Sequence, residues 1–463
     1  MITMEGSNLL LGTDSYKVTH WRQYPPGTTR VSSFLESRGG VYPSVVFFGL
    51  QYLLDRHFAG VVVTEDRIAE AREIFAAHFG DPTLFHEAGW RHVLDAHGGR
   101  LPVEIRAVPE GTVVPVSNVL MTIENTDPRV PWLTNYLESL LLQVWYPCTV
   151  ATQSREMRRT ITAHLEKTGT PSLVGFELHD FGLRGSTSHE SAAIGGAAHL
   201  VSFEGTDTIP ALLLARRHYG EPMAGFSIPA AEHSTITSWG RDRESSAYRN
   251  MLESYPRGLV AVVSDSYDVY RACEQLWGRE LRELVLSRDG TLVVRPDSGH
   301  PPEVVCRVLE ILGRAFGTAI NAKGYRVLDP HVRVIQGDGI DPVMIAEILA
   351  AMSERGWSAD NVAFGSGGAL LQKVHRDTQN LAIKCSAVEI DGAWRPVMKD
   401  PVTDPGKRSK SGRLALVREA GAFRTVARGD SGHPGDLLEP VFRDGEILRR
   451  QTLSDIRRRA LEG

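Results

Sequence analysis

The chain has 463 residues, 42% hydrophobic and 23% charged, with a formal net charge of -5. That length favours two structural regions over one core. The acidic balance disfavours a nonspecific nucleic-acid binder, so a phosphate site here must be a local basic pocket. The four cysteines, Cys148, Cys273, Cys306 and Cys385, are far apart and form no C-x-x-C pair. This excludes a zinc knuckle or a dense disulfide framework and fits a reducing cytoplasm.

No membrane partner is expected. Residues 1–8 lack a basic stretch followed by an apolar core. The most apolar stretch, 137–150, is interrupted by Glu138, Gln143 and Pro147 and is too short and polar to span a bilayer.

Residues 1–170 read as an N-terminal α+β region with helices. Helical spacing covers 67–78, 139–144 and 154–167, and β-branched residues over 112–124 predict strands around a turn at 115–118. Over 171–384 a rhythm sets in, an apolar strand running into a polar, Gly-rich turn and then a helix. The predicted strands are 174–178, 200–203, 225–228, 259–263, 291–294, 332–335 and 361–364. Continuous apolar strands alternating with helices mean a parallel sheet covered on both faces. Seven units in one stretch favour a parallel α/β barrel, although periodicity alone leaves an open doubly wound sheet as the alternative. Pro301 and Pro342 mark helix starts, the latter capped by Asp341. Residues 385–463 return to strand-like runs at 387–390 and 414–418 and end in a basic amphipathic helix, 453–461, packed on the body.

In parallel α/β folds ligands bind at the carboxyl ends of strands. Those ends carry Asp180, Asp207, Glu232, His233, Asp265, Asp297 and Asp338, with Arg184 and Arg295 nearby. Turn residues that cap helices explain any one of these. They explain less well acidic and basic groups arriving together from several turns. Gly365-Ser366-Gly367-Gly368 opens a helical pattern and suits phosphate through free backbone N–H groups, with a flexible turn as the plainer reading. It is neither a Walker A loop nor a Rossmann fingerprint. No H-E-x-x-H occurs, and His179, His189 and His199 lie ten apart, which is no ligand spacing on one helix. Asp265, Asp297 and Asp338 suit Mg2+ held partly by substrate phosphates, or are plain helix caps.

Taken in order, long motifs closely resemble the nicotinamide phosphoribosyltransferase family. They include Thr13-Asp14-Ser15-Tyr16-Lys17, His179-Asp180-Phe181-Gly182, Gly205-Thr206-Asp207-Thr208, Ala231-Glu232-His233-Ser234, Ser264-Asp265-Ser266-Tyr267-Asp268, Arg295-Pro296-Asp297-Ser298-Gly299, Gln336-Gly337-Asp338-Gly339 and Lys399-Asp400-Pro401. The resemblance runs from Leu9 to about Arg413. It implies a type II phosphoribosyltransferase fold, in which an irregular parallel α/β barrel is joined by a second α+β region built from both chain ends. It also implies a homodimer with active sites at the interface, and a pentosyltransferase joining nicotinamide to phosphoribosyl pyrophosphate with Mg2+. ATP hydrolysis through a phosphohistidine assists in that family.

The resemblance assigns roles residue by residue. Phe181 stacks on the pyridine, and Tyr16 of the partner subunit covers its other face. Asp207 accepts from the carboxamide NH2 and repels nicotinate. Arg184 and Arg295 face the pyrophosphate or the carboxamide oxygen. Gly337 belongs to the motif in which Asp338, with Asp297, holds the ribose hydroxyls or the hydrated metal. Gly367 and Gly368 cradle the 5′-phosphate. Arg38, Arg376 and Lys384 lie near ATP or substrate phosphates. His233 takes the phosphoryl group, with Glu232 and Asp265 as candidates to orient it. The loop 407–410 is basic enough to meet phosphate, with a solvated loop as the equal alternative. The sequence departs from the family in a short stretch between Arg38 and Phe47, in Leu183 where Tyr is common, and in Ala382 where a polar residue is common. A nicotinate-specific enzyme is the nearest rival, and Asp207 argues against it. A barrel glycosidase with paired carboxylates is disfavoured by the Gly-rich turn and the arginines. A noncatalytic extracellular signalling role on the same scaffold is disfavoured by the missing signal peptide and the intact polar turns.

Overall fold

The computed structural model describes residues 8–403, 408–429 and 431–463. The expectations for residues 1–7 and for Lys407 therefore lie outside the described residues. The chain forms two compact units, one of Met1–Thr152, Arg217–Glu221 and His375–Gly463, the other of Gln153–Arg216 and Pro222–Val374.

In the second unit six parallel strands run in the order Gly205–Thr206, Leu178–Asp180, Val362–Ser366, Val332–Gln336, Leu292–Arg295 and Val260–Val263. The two edge strands are joined by a seventh segment, 226–231. Phe226 bridges Gly205, and Ala230 bridges Ala261, both in parallel. The Thr206 N–H donates to Phe226 O at 3.0 Å and the Ala231 N–H to Ala261 O at 2.9 Å. The ring is thus a closed barrel, and the open-sheet alternative is set aside. Ala261, Val293 and Ile335 are buried inside it, with Phe181, Ile228 and Ala363 packed against them.

Two predicted strands fall elsewhere. Residues 200–203 are turns continuing helix His189–His199, because the Phe203 N–H still donates to His199 O and its ring stacks on His199 at 5.0 Å. The stave is the next pair, Gly205–Thr206. Residues 174–176 belong to a 3-10 helix, Pro171–Phe176, which starts at its proline, so the stave shrinks to Leu178–Asp180.

The first unit holds an antiparallel sheet that contains strands from both chain ends. Thr28–Ser37 lies between Leu381–Ile390 and Val119–Asn125. Glu439–Arg443 pairs with Val103–Ala107 at the far side. The predicted helix at 67–78 runs from Glu65 to Phe79 behind its Thr64 cap. The expected turn near 115–118 holds Ser117 at φ 64. The last helix, Leu453–Glu462, buries Leu453, Ile456 and Ala460, leaves Arg458 exposed and ties Arg459 back to Glu110 O. Among the described residues no helix is long and apolar enough to cross a membrane.

Candidate active site

The barrel mouth contains a cavity of about 370 Å³ whose wall includes Phe181, Arg184, Asp207, Ser227 and Arg295. Two glycines make room for its aromatic side. His179 registers with Gly205 on one neighbouring stave and Gly365 on the other. A Cβ on Gly205 would lie 2.5 Å from the His179 ring, and one on Gly365 would lie 1.9 Å from Phe181 Cε2. Phe181 is fixed further by its N–H, which donates to Ser366 O at 2.9 Å. The guanidinium of Arg295 sits 5.8 Å from the Phe181 ring centroid.

Asp207 is exposed to the cavity, and the Ser227 hydroxyl donates to its carboxylate. Arg184 is exposed on the same wall. Arg295 forms a two-pronged bond to Asp297 Oδ1, from Nη2 at 2.7 Å and Nε at 3.1 Å. A side chain on Gly337 would press on this pair, its Cβ falling 3.1 Å from Arg295 Nε. Burial raises the Asp297 carboxyl above the ordinary range, opposed by Arg295 and reinforced by the charge of Asp265. His233 is half exposed, and its Nε2 lies 3.0 Å from the buried Oδ1 of Asp265. Asp265 rather than Glu232 therefore orients this imidazole, since the Glu232 carboxylate accepts from the Ser234 hydroxyl instead. Asp338 is exposed at the end of the next stave. Gly367 and Gly368 run beside the Phe181 backbone, a Gly367 Cβ falling 3.4 Å from Phe181 O and a Gly185 Cβ 3.4 Å from Gly368 Cα. The turn is thus bare of side chains where it approaches the loop carrying Phe181.

The remaining predicted residues belong to the first unit. Tyr16 is exposed, with its ring edge-on to His20 at 5.1 Å. Arg38 Nε lies 3.4 Å from Glu36 Oε1, while its Nη2 is buried and has no hydrogen-bond partner among the described residues. Arg376 pairs with Asp377 at 2.9 Å. Burial lowers the Lys384 ammonium below its ordinary value; Glu138 opposes this and the charges of Arg38, Arg376 and Lys17 add to it. Lys384, Arg38, Arg376 and Lys17 thus form a basic cluster in which Arg38 Nη2 has donor capacity to spare, as an anionic ligand requires.

Sequence reasoning missed one contributor, Ser227, and named another, Asp180, only as a strand-end carboxylate. Ser227 holds Asp207, yet it lies inside the predicted strand 225–228 and not in the polar turn after it, so strand-end reasoning passes over it. Asp180 is buried, and its Oδ1 accepts from the Gly182 N–H at 2.7 Å, bracing the turn that carries Phe181. Burial pushes its carboxyl up to about 6, with the Asp207 charge adding and the Gly182 N–H and neighbouring threonine hydroxyls opposing. Its place directly before Phe181 at a strand end is the signal by which the sequence names it.

A nicotinate phosphoribosyltransferase (NAPRTase) family model matches residues 176–446, and a nicotinamide phosphoribosyltransferase N-terminal domain model matches residues 8–105. A nicotinamide phosphoribosyltransferase of Xanthomonas campestris pv. campestris is 55% identical over 463 residues, covering 98% of each chain. One from Acinetobacter baylyi is 32% identical, covering 98% of this chain and 97% of its own. The crystal structure of a nicotinate-nucleotide pyrophosphorylase from Pyrococcus furiosus covers 100% of this chain and 97% of that one. Its TM-score is 0.62 at 16% identity, a likeness of fold alone.

Proposed function

The chain belongs to the nicotinamide phosphoribosyltransferase family, and from that premise we propose what its barrel mouth does. It is a pentosyltransferase of NAD salvage. It transfers phosphoribosyl from phosphoribosyl pyrophosphate to nicotinamide, giving nicotinamide mononucleotide and pyrophosphate.

The observation that carries this reading is the meeting of an aromatic face, a carboxylate acceptor and arginines in one cavity. The pyridine nitrogen already has a free lone pair, so no general base is needed. The barrier lies in breaking the bond from ribose C1 to pyrophosphate, which builds positive charge on the sugar and negative charge on the leaving group. Phe181 offers its face to the ring. Asp207, held by Ser227, accepts from the carboxamide NH2 and repels the carboxylate of nicotinate. Arg295, aligned by Asp297, and Arg184 supply fixed positive charge for the pyrophosphate. The bare turn at Gly367 and Gly368 suits the 5′-phosphate.

Mg2+ belongs to the proposal. Asp265 and Asp297 raise the local negative charge together, and Asp338 is exposed, so hard oxygen donors are present for an ion completed by substrate phosphates. Such an ion supplies charge neutralisation at the leaving group. ATP assistance belongs to it as well. Asp265 engages His233 Nε2, which leaves Nδ1 with the lone pair for attack on a γ-phosphoryl group. A homodimer in which Tyr16 of the partner subunit closes the ring-binding slot, with Arg38, Arg376 and Lys384 toward phosphate, completes the reading. A cytoplasmic location is compatible with its four free cysteines.

A steady-state assay with both bases tests the assignment. Efficient formation of nicotinamide mononucleotide, with nicotinate a poor substrate, is expected. A preference for nicotinate would defeat it.

A further inference from the structure

In the first unit, His92, His97 and Asp127 come together at the end of helix Glu87–His97. His92 and His97 sit on successive turns of that helix, and Asp127 lies in the bend after strand Val119–Asn125. Each imidazole Nε2 lies 2.6 Å from the same oxygen, Asp127 Oδ2. The other carboxylate oxygen is occupied, since Oδ1 accepts from the Arg129 N–H at 2.8 Å. The Asn125 side chain also donates to Asp127 O at 2.7 Å. The loop therefore aims the second carboxylate oxygen at two imidazole nitrogens. The three side chains are 12, 28 and 12% exposed, sheltered yet open to entry from solvent.

We propose that His92, His97 and Asp127 form a binding site for a late divalent transition ion of the Zn2+ type. One donor atom from each residue, all lying within 4.8 Å of one another, gives a two-nitrogen, one-oxygen set. Two imidazoles and one carboxylate with a water in the fourth position is an established zinc donor set. Imidazole donors select against Mg2+ and Ca2+, which prefer oxygen. Metal–ligand bonds of about 2.0 Å separate the donors by more than the present hydrogen bonds do, so small side-chain rotations convert the triad into a coordination sphere. The ion fastens the end of the helix to the loop after the strand. It takes no part in the transferase chemistry, because the Arg, Asp and aromatic groups assigned to that chemistry are other residues.

The site is tested on the full chain, free of affinity tag and stripped with a chelator, by titration with Co2+ alone. One equivalent should give the strong visible absorption of a four-coordinate cobalt centre, and Zn2+ should displace it. His97→Gln keeps an N–H donor toward Asp127 but is a poor ligand. It should weaken Co2+ binding about a hundredfold or more, beyond the loss typical of an outer-sphere partner, while transferase activity stays intact. A second readout is the melting temperature. Zn2+ should raise it in the parent chain and not in the variant. Absence of Co2+ binding, or binding that His97→Gln leaves unchanged, would overturn the proposal and leave a purely hydrogen-bonded triad.

Discussion

In the reading we propose, Asp207 decides which pyridine enters the cavity, because its carboxylate matches an amide N–H and opposes a second carboxylate. Ser227 already occupies one of its oxygens, so the other is free for the ring substituent. Asp207→Asn removes the like-charge penalty and keeps a hydrogen-bonding side chain. The ratio of kcat/KM for nicotinamide over nicotinate should fall by about tenfold to a hundredfold, read by steady-state kinetics. In the same reading, His233 acts at a different step. His233→Ala should abolish ATP stimulation while basal transfer continues, because the imidazole takes no part in bond breaking at C1; undiminished stimulation would refute the phosphohistidine. Asp180 carries a cost visible in pH. Its folded-state value of about 6 stands above the ordinary 3.8, so the folded chain holds an extra proton between those two. The penalty is absent below pH about 4 and grows as pH rises through about 6, to an upper bound of about 3 kcal/mol at neutrality. Asp180→Asn keeps an oxygen for the Gly182 N–H. It should therefore melt higher than the parent at pH about 7.5, with the gain fading toward pH about 4. A gain independent of pH would show that charge is not the cause.

At the scale of strands, the staves of the barrel are short, two to five residues in each of the six regular strands among the described residues. Each contributes one or two inward positions, so the identity of those positions matters more than strand length. Gly365 and Gly205 flank His179 on its two neighbours, and both accept an aromatic ring from the Leu178 stave or the turn after it. Gly365→Ala would place a methyl inside the volume of the Phe181 ring. The barrel has room to shift that ring toward the cavity, so KM for nicotinamide should rise about tenfold or more while the far-ultraviolet circular dichroism stays unchanged. An unaltered KM would separate Phe181 from ring binding. The rhythm of apolar run, polar turn and helix makes these staves legible, because burial on both faces requires uninterrupted hydrophobic residues. It misplaces two of them. Leu200, Val201 and Phe203 are apolar because they finish a helix against the core, and periodicity over four residues cannot separate that from a strand. The segment 226–231 closes the ring by isolated bridges, and Ser227 sits within its predicted strand, where the pattern marks a stave but no functional side chain.

For the whole molecule, the barrel can be inferred from local pattern, whereas the sheet of the first unit cannot. Thr28–Ser37 pairs with Leu381–Ile390 across more than three hundred positions, and such pairing leaves no local signal. The family resemblance implies that arrangement, and the register between Phe34 and Lys384 is visible only in the folded chain. The candidate site divides the same way. Phe181, Asp207, Arg295 and His233 declare themselves at strand ends, while the His92, His97 and Asp127 cluster depends on a helix end meeting a distant bend. The central claim is that the barrel mouth clasps nicotinamide against Phe181 and draws off pyrophosphate at its arginines. A crystal structure of the complex with nicotinamide mononucleotide tests it most directly. The account predicts the pyridine on the Phe181 face, the amide nitrogen within hydrogen-bond reach of Asp207, the 5′-phosphate at Gly367 and Gly368, and Tyr16 of the partner subunit over the ring. A nucleotide bound away from Phe181 and Asp207 would contradict it.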